Sequence, residues 1–446
     1  MSTAESGARG ADHVLQRTPW RDVAFAILFL SHLIGFIAFD IYWRSSGEDL
    51  GDDDDGDRHS RLNISAEQYM AFVGFGVVVA MFLGVIWITL LKRFAHAAIK
   101  LGVCVTVGVF LCKSILLFSL GQIIGGSVAL FVAGALALYF FLVRNRLRFV
   151  SILVEMSCTA ISPGLVAASV LATILGAVWS VYVTGLAAMV SHGVMAILGL
   201  FSLFWTWLVF KNVVHVATAG KCATWYFLGD DNAPPNATWA AFHRALTTSF
   251  GSVCLGSFLV ALMRTLETVS RSAARSSDDA CVSLVCGLLA CLVECVRHAL
   301  EFVSKYAFVY CGVYGESFFA SARSTWQLLM AKGFDVIIDD DLSHLASVPG
   351  ALAGGLLAGL AMLAVITGVH GATPIYGDLD NWIIALLFSL WFILAVSVVL
   401  APVSSGVATF IVLLAEDPYA LSKTRPEFHA KVSDGLHEVY GEFAFA

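Results

Sequence analysis

The sequence predicts an all-α polytopic membrane protein of about ten transmembrane helices, with both termini cytoplasmic and the last helix broken near Pro402. Three observations carry this. Of 446 residues, 59% are hydrophobic and only 13% charged, whereas soluble domains run at about 45–50% apolar and about 25% charged. The apolar residues gather into runs of about 20, the length that crosses roughly 30 Å of hydrocarbon. Lys and Arg collect in alternate loops, as they do on the cytoplasmic side of membrane proteins. A chain with a mean hydropathy of +0.82 has too little charge to clothe a soluble core, so its partner is the lipid bilayer.

The expected spans are 23–42, 69–91, 101–120, 123–143, 161–183, 193–217, 248–263, 282–303, 349–370 and 382–414. Residues 1–22 form a cytoplasmic tail. The first apolar run stays in the protein as a signal anchor, because it is about 20 residues long and follows a polar stretch of similar length. The loop 43–68 is acidic, with Glu48, Asp49 and Asp52 to Asp55, and is read as external. It holds Asn63-Ile64-Ser65, a glycosylation acceptor pattern, so Asn63 is the expected glycan site. Arg9, Arg17 and Arg21 precede the first span; Lys92, Arg93 and Lys100 follow the second; Arg144, Arg146 and Arg148 follow the fourth.

The seventh span is short, and Arg264, Arg271 and Arg275 follow it. Either it is re-entrant, or its helix runs on into an amphipathic stretch. In the ninth, Gly350 with Gly354 and Gly355 with Gly359 form two small-xxx-small pairs that bring helices close. The tenth exceeds one straight helix and contains Pro402, followed by Ser404, Ser405 and Gly406. Pro402 and Gly406 are read as a hinge that frees backbone carbonyls for a cavity, a plain proline kink being the alternative. Residues 23–415 thus make the membrane domain and 416–446 a cytoplasmic tail.

Several chemistries find no support. Cys281, Cys286, Cys291 and Cys295 lack paired CxxC spacing, so no metal site is expected and the thiols read as apolar packing or lipid attachment points. The acidic runs lack EF-hand spacing. Neither a Walker motif nor a paired-His motif nor a set of clustered acids within one span is present, so no catalytic residue, cofactor or ATP drive is expected. Nucleic acid is not an expected partner.

Ionisable residues within spans are costly, and each is a functional hypothesis. They are His32, Lys113, Glu155, His215, Glu294, His298 and Glu301, with Lys113 and Glu155 a candidate pair. Trp225 and Tyr226 end an apolar run just before Gly229-Asp230-Asp231. They fit either an interfacial aromatic belt or the walls of a box for a small cation.

Four stretches together resemble the choline transporter-like family: "AGKCATWYFLG" (219–229), "SFGSVCLGSFLVALMRTLE" (249–267), "KYAFVYCGVYGESFFASARSTWQLL" (305–329) and "SSGVATFIVLLAEDPYAL" (404–421). "WRDVAFAILFLSHLIGFI" (20–37) is similar as well, and the resemblance, spanning nearly the whole chain, is nearest the fungal and protist pH-nine-sensitive branch. It implies about ten spans and transport of choline or a related amine, uncoupled or in exchange for protons, across the plasma membrane or an organelle membrane. On that reading Glu155 supplies the countercharge and Trp205, Trp225, Tyr226 and Tyr310 supply aromatic walls for a quaternary ammonium ion, which conventional hydrogen bonds cannot hold. A structural or regulatory membrane protein, and a membrane-embedded lipid enzyme, are the alternatives from other classes.

Overall fold

The computed structural model describes residues 19–45, 66–190, 193–229, 232–276, 279–332, 334–370 and 381–440. Asn63 and the acidic run Asp52 to Asp55 lie outside them. The described residues form helices and connecting turns, without a strand. In chain order the helices are α1 (Val23–Ser45), α2 (Ala66–Ser119), α3 (Ile123–Leu142), α4 (Leu147–Ala160), α5 (Pro163–Val190), α6 (Gly193–Leu228), α7 (Ala237–Leu246) and α8 (Phe250–Ser276). They continue with α9 (Ala280–Tyr314), α10 (Phe318–Lys332), α11 (Phe334–Leu345), α12 (Val348–His370), α13 (Asn381–Glu416), α14 (Ala420–Thr424) and α15 (Pro426–Tyr440).

Among the described residues, nine stretches are long and apolar enough to cross a membrane. Residues 69–91 and 101–120, read as two spans, fall in the single element α2, whose backbone leaves helical geometry at Phe94 (φ −126°, ψ 25°). The basic stretch Lys92 to Lys100 lies at this kink, where a polar connection separates two apolar runs. The protein is an integral membrane protein. Its outward faces carry large apolar side chains that water would not tolerate in such density, such as Ile124 (83% exposed), Phe131 (76%) and Val181 (74%).

The chain divides into two units. The first comprises Met1–Asp53, Ser162–Ala331 and Val412–Ala420. Here α1 packs on α8, α5 on α6, and α6 on α8 and α9. α8 is a continuous helix of 27 residues, so the seventh span is neither short nor re-entrant: the helix runs on into an amphipathic half. That half is held by α9 through ion pairs, Arg264 with Glu301 (2.8 Å), Arg271 with Glu294 (2.6 Å), and Arg297 with both Glu267 and Glu301. α9 starts where the Asp279 carboxylate accepts from the Cys281 N–H, and it stops at Gly315, which adopts a left-handed φ of 67°. Asp22, itself at φ 50°, ties three helix starts together. Its Oδ2 accepts from Ser252 Oγ (2.6 Å) of α8 and from the Phe318 N–H (2.9 Å) of α10. Gly251 is required beside it, because a Cβ there would lie 2.3 Å from the Arg21 and Asp22 carbonyl oxygens.

The second unit comprises Asp54–Ile161, Lys332–Ile411 and Leu421–Ala446. α2 packs on α3, α4 and α12. The glycine pairs of α12 serve close packing as expected: Gly350 meets the Trp87 ring, Gly354 meets Val396, and Gly355 lies against the Ser389 carbonyl and Ile393 of α13. Residues 416–440 are largely helical, and α15 docks on α4, burying Val432 to 1% exposure. Gly435 rests on Phe149 and Ile152.

The expected break at Pro402 is not present. α13 is one helix with Pro402 inside it. Proline removes one N–H from the ladder, but membrane helices tolerate it when side-chain hydroxyls and neighbouring helices take up backbone groups. The hydroxyls of Ser404 and Ser405 both donate to the Ala401 carbonyl, and Ser157 of α4 donates to the Val403 carbonyl (2.7 Å).

Candidate functional site

In α1, Phe25, Phe29, His32, Phe36 and Asp40 recur at steps of four, three, four and four, which places them on one stripe of the helix. That stripe faces α5, α6 and α8 within the first unit. The His32 ring lies 4.9 Å from Trp205, 5.4 Å from Phe36 and 6.1 Å from Trp179, centroid to centroid. Phe29 meets Trp205 edge-on at 5.2 Å. Trp205 also packs on Phe201 and Phe258, and Trp179 packs on Tyr182. Trp205 and Phe29 are fully buried, each at 2% exposure. His32, Phe36, Trp179 and Tyr182 are half-buried, so the cluster is open along their side.

Its hydrogen bonds have a direction. His32 Nδ1 lies 3.3 Å from the Phe29 carbonyl oxygen, which can only accept, so Nδ1 carries the proton. In the neutral ring Nε2 is then an acceptor, and at 2.8 Å it takes the hydroxyl proton of Ser202. The Ser202 oxygen in turn accepts from Trp179 Nε1–H at 3.1 Å. Trp205 donates its own Nε1–H to the Cys254 carbonyl (3.1 Å), and Tyr182 donates to the Phe36 carbonyl (3.3 Å). The two indoles and the phenol are thus each fixed by one polar contact and the imidazole by two, leaving their faces for packing.

A second group sits at the far end of α6. Tyr226 is fully buried and donates to the Asp417 carbonyl (2.8 Å). Tyr310 of α9, 2% exposed, donates to Glu416 Oε1 (2.6 Å) and lies 5.8 Å from the Tyr314 ring. Trp225 is buried to 4% exposure. Burial removes the belt reading for Trp225 and Tyr226: both lie inside α6 and face protein, not the membrane surface.

The four aromatic walls named from the sequence therefore do not form one box. Trp205 and Tyr226 lie on the same helix, about 30 Å apart along its axis at roughly 1.5 Å per residue. Tyr226 and Tyr310 belong to the group at the C-terminal end of α13; Trp205 belongs to the His32 cluster. Glu155 is in the second unit, on the short helix α4, and its Oε1 accepts from Lys431 of α15 at 2.6 Å. Its partner is thus the folded tail and not Lys113, which is exposed on α2. Pro402 and Gly406 are buried within unbroken α13. The other ionisable candidates are absorbed by local partners. Glu294 and Glu301 join the α8–α9 ion pairs, His298 lies 3.9 Å from Glu294, and His215 Nε2 is 2.9 Å from the Lys305 carbonyl. Outside the spans, burial holds the Arg244 guanidinium below its ordinary pKa and pushes the Cys158 thiol up to about 12. No group of three or more His, Cys, Asp or Glu among the described residues is arranged to hold a metal ion.

The spacing of Phe29, His32, Phe36 and Asp40 was available in the sequence and points to one helical face. What it could not show is that Trp179, Ser202 and Trp205, from two other helices, complete the cluster.

Residues 127–419 match the family model described as plasma-membrane choline transporter. Protein PNS1 of Mycosarcoma maydis is 32% identical over 252 residues, covering 55% of this chain and 47% of that protein. A CTL-like protein of Dictyostelium discoideum is 26% identical over 379 residues, 82% of this chain and 66% of that one. Protein PNS1 of Cryptococcus neoformans is 24% identical over 462 residues, 95% and 83% of the two chains. The chain thus spans about half the length of the first of these relatives.

Proposed function

Because this chain belongs to the plasma-membrane choline transporter family, we propose that it is a secondary transporter of choline or a related organic cation, working across the plasma membrane. The observation that carries this reading is the His32 cluster. Rings from four helices, α1, α5, α6 and α8, gather within stretches long and apolar enough to span a membrane, where carriers bind substrate. A quaternary ammonium group offers no hydrogen bond to a site. It is held by aromatic faces, at roughly 0.5–2 kcal/mol each. Trp205 forms the buried back wall, and Trp179, Phe36 and Tyr182 form the half-exposed side by which a cation enters as the rings part.

The tyrosines at the other end of α6 have a different part in this reading. Tyr310 and Tyr226 hold the C-terminal end of α13 through Glu416 and Asp417, and so close the cytoplasmic end of the first unit. Pro402 and Gly406 are the positions at which α13 bends when that end opens. Glu155 serves the docking of α15 and not the cation.

Uptake of labelled choline into liposomes carrying the purified protein, with and without a pH gradient, tests the reading. Saturable uptake above empty liposomes supports it, and acceleration by the gradient identifies proton exchange as the coupling. Absence of uptake from folded protein would hand the chain to a structural or regulatory role.

A further inference from the structure

We propose that His32 is a charge switch on the cation site: protonation of its ring and occupancy by an organic cation exclude one another. This rests on the proposed cation-transport reading and assigns it a residue. The argument is the direction of the hydrogen bonds. In the neutral state Trp179 donates to Ser202, Ser202 donates to Nε2, and Nδ1–H donates to the Phe29 carbonyl. Nε2 is the group's proton acceptor, and it is directed to a hydroxyl that can turn. When a proton binds Nε2, Ser202 rotates its own hydrogen away, toward a carbonyl of the preceding helical turn, and accepts from both Nε2–H and Trp179. No ring has to move and no donor is left facing a donor, so the site accommodates either charge state.

The consequence for a cation is electrostatic. An ion seated against Trp205, Trp179 and Phe36 lies about 6 Å from the imidazole, since those centroids are 4.9, 6.1 and 5.4 Å from it. Two unit positive charges about 6 Å apart at an effective dielectric of about 20 weaken binding about a hundredfold. α5 presents Trp179 and the phenol of Tyr182; α6 presents Ser202 and Trp205; α8 presents Phe250, Phe258 and the Cys254 carbonyl. On α1 itself the nearest acidic group is Asp40, two turns from His32; its carboxylate pairs with Arg44 at 2.8 Å and also reaches the Tyr182 phenol. Among the described residues of this cluster, His32 is thus the side chain with a ring nitrogen placed to accept a proton.

The test measures two things on purified full-length protein in detergent. The first is equilibrium binding of labelled choline between about pH 5 and pH 8 for wild type, His32→Gln and His32→Asn. Wild type is expected to weaken as pH falls, by up to about tenfold per pH unit below the pH at which the free ring takes up its proton. The neutral variants are expected to lose that pH dependence, at whatever affinity each retains. The second, independent of any ligand, is tryptophan fluorescence over the same range: a protonated imidazole beside Trp205 and Trp179 quenches it, and the wild-type titration is expected to vanish in both variants. A pH dependence that persists in folded His32→Gln, or a wild type whose binding and fluorescence are both flat, overturns the switch. Fluorescence that titrates through His32 in a protein that binds no choline overturns the cation reading, and with it the exclusion, while leaving the proton site.

Discussion

Trp179→Leu separates a ring that binds a cation from a ring that merely fills space. Trp179 is half-buried, donates one hydrogen bond to Ser202 at 3.1 Å, and stands 6.1 Å from His32 and 5.4 Å from Tyr182. Leucine keeps an apolar side chain there and leaves Ser202 bonded to His32. What it removes is one aromatic face, worth roughly 0.5–2 kcal/mol to a bound cation, which is about a 2- to 30-fold loss of affinity. The assay is paired binding of choline and its uncharged carbon isostere, 3,3-dimethylbutan-1-ol, to purified protein. The isostere has the same shape but no charge for the ring to attract, so the ratio of the two affinities isolates the aromatic contribution from packing. The ratio is expected to fall by that factor in Trp179→Leu and to stay constant in Trp239→Leu, a control on α7 that is 70% exposed. Equal weakening of both ligands refutes the reasoning, because the ring would then act through shape alone.

Four further outcomes follow from the geometry. Glu155→Gln breaks a partly exposed pair with Lys431 and is expected to cost under about 1 kcal/mol while leaving choline affinity unchanged; a drop in affinity in thermally stable protein would return Glu155 to the site. Tyr310→Phe removes the 2.6 Å bond to Glu416, so the melting free energy in detergent should fall by about 1.5–3 kcal/mol, and an unaltered melt argues against a closed end held there. Glu267→Gln strips a shared partner from Arg271 and Arg297; the melting temperature in detergent should fall only modestly, because each arginine keeps a second carboxylate. The Cys158 thiol has its pKa raised to about 12, chiefly by burial in α4, with Lys92 opposing and Glu155 adding. A raised pKa keeps it protonated below that pH, so maleimide at pH 8 should leave Cys158 unmodified until the protein is unfolded, which mass spectrometry reads directly.

The spans were readable because lipid imposes a length of about 20 apolar residues and a charge rule on the loops, both of which are local in sequence. The amphipathic half of α8 was harder. Its arginines look like the end of a span until their partners on α9 are known, and of the five pairs only Glu267–Arg271 and Arg297–Glu301 have the four-residue spacing that betrays them. Pro402 misled for a related reason: proline breaks helices in water, but here hydroxyls on two helices serve nearby carbonyls and the helix continues. The candidate site divides in the same way. His32 and its flanking phenylalanines share a stripe visible in the sequence. Trp225, Tyr226 and Tyr310 were noticed for their chemistry, but which of them meet depends on helix ends that come together from residues 226, 310 and 416. The partner of Glu155 lies 276 residues along the chain, beyond any local pattern.

That separation between α4 and α15 also bears on how the protein is made. The groove on α4 that receives Gly435, at Phe149 and Ile152, leaves the ribosome well before its cover, α15, is synthesised. At about 5–20 residues per second, α4 waits on the order of 15–60 seconds for α15. Docking of α15 on α4 is therefore a late step in folding. A chain that stops after residue 420 would keep α1 to α13 and still carry an uncovered apolar face on α4, a mark for chaperone retention or degradation.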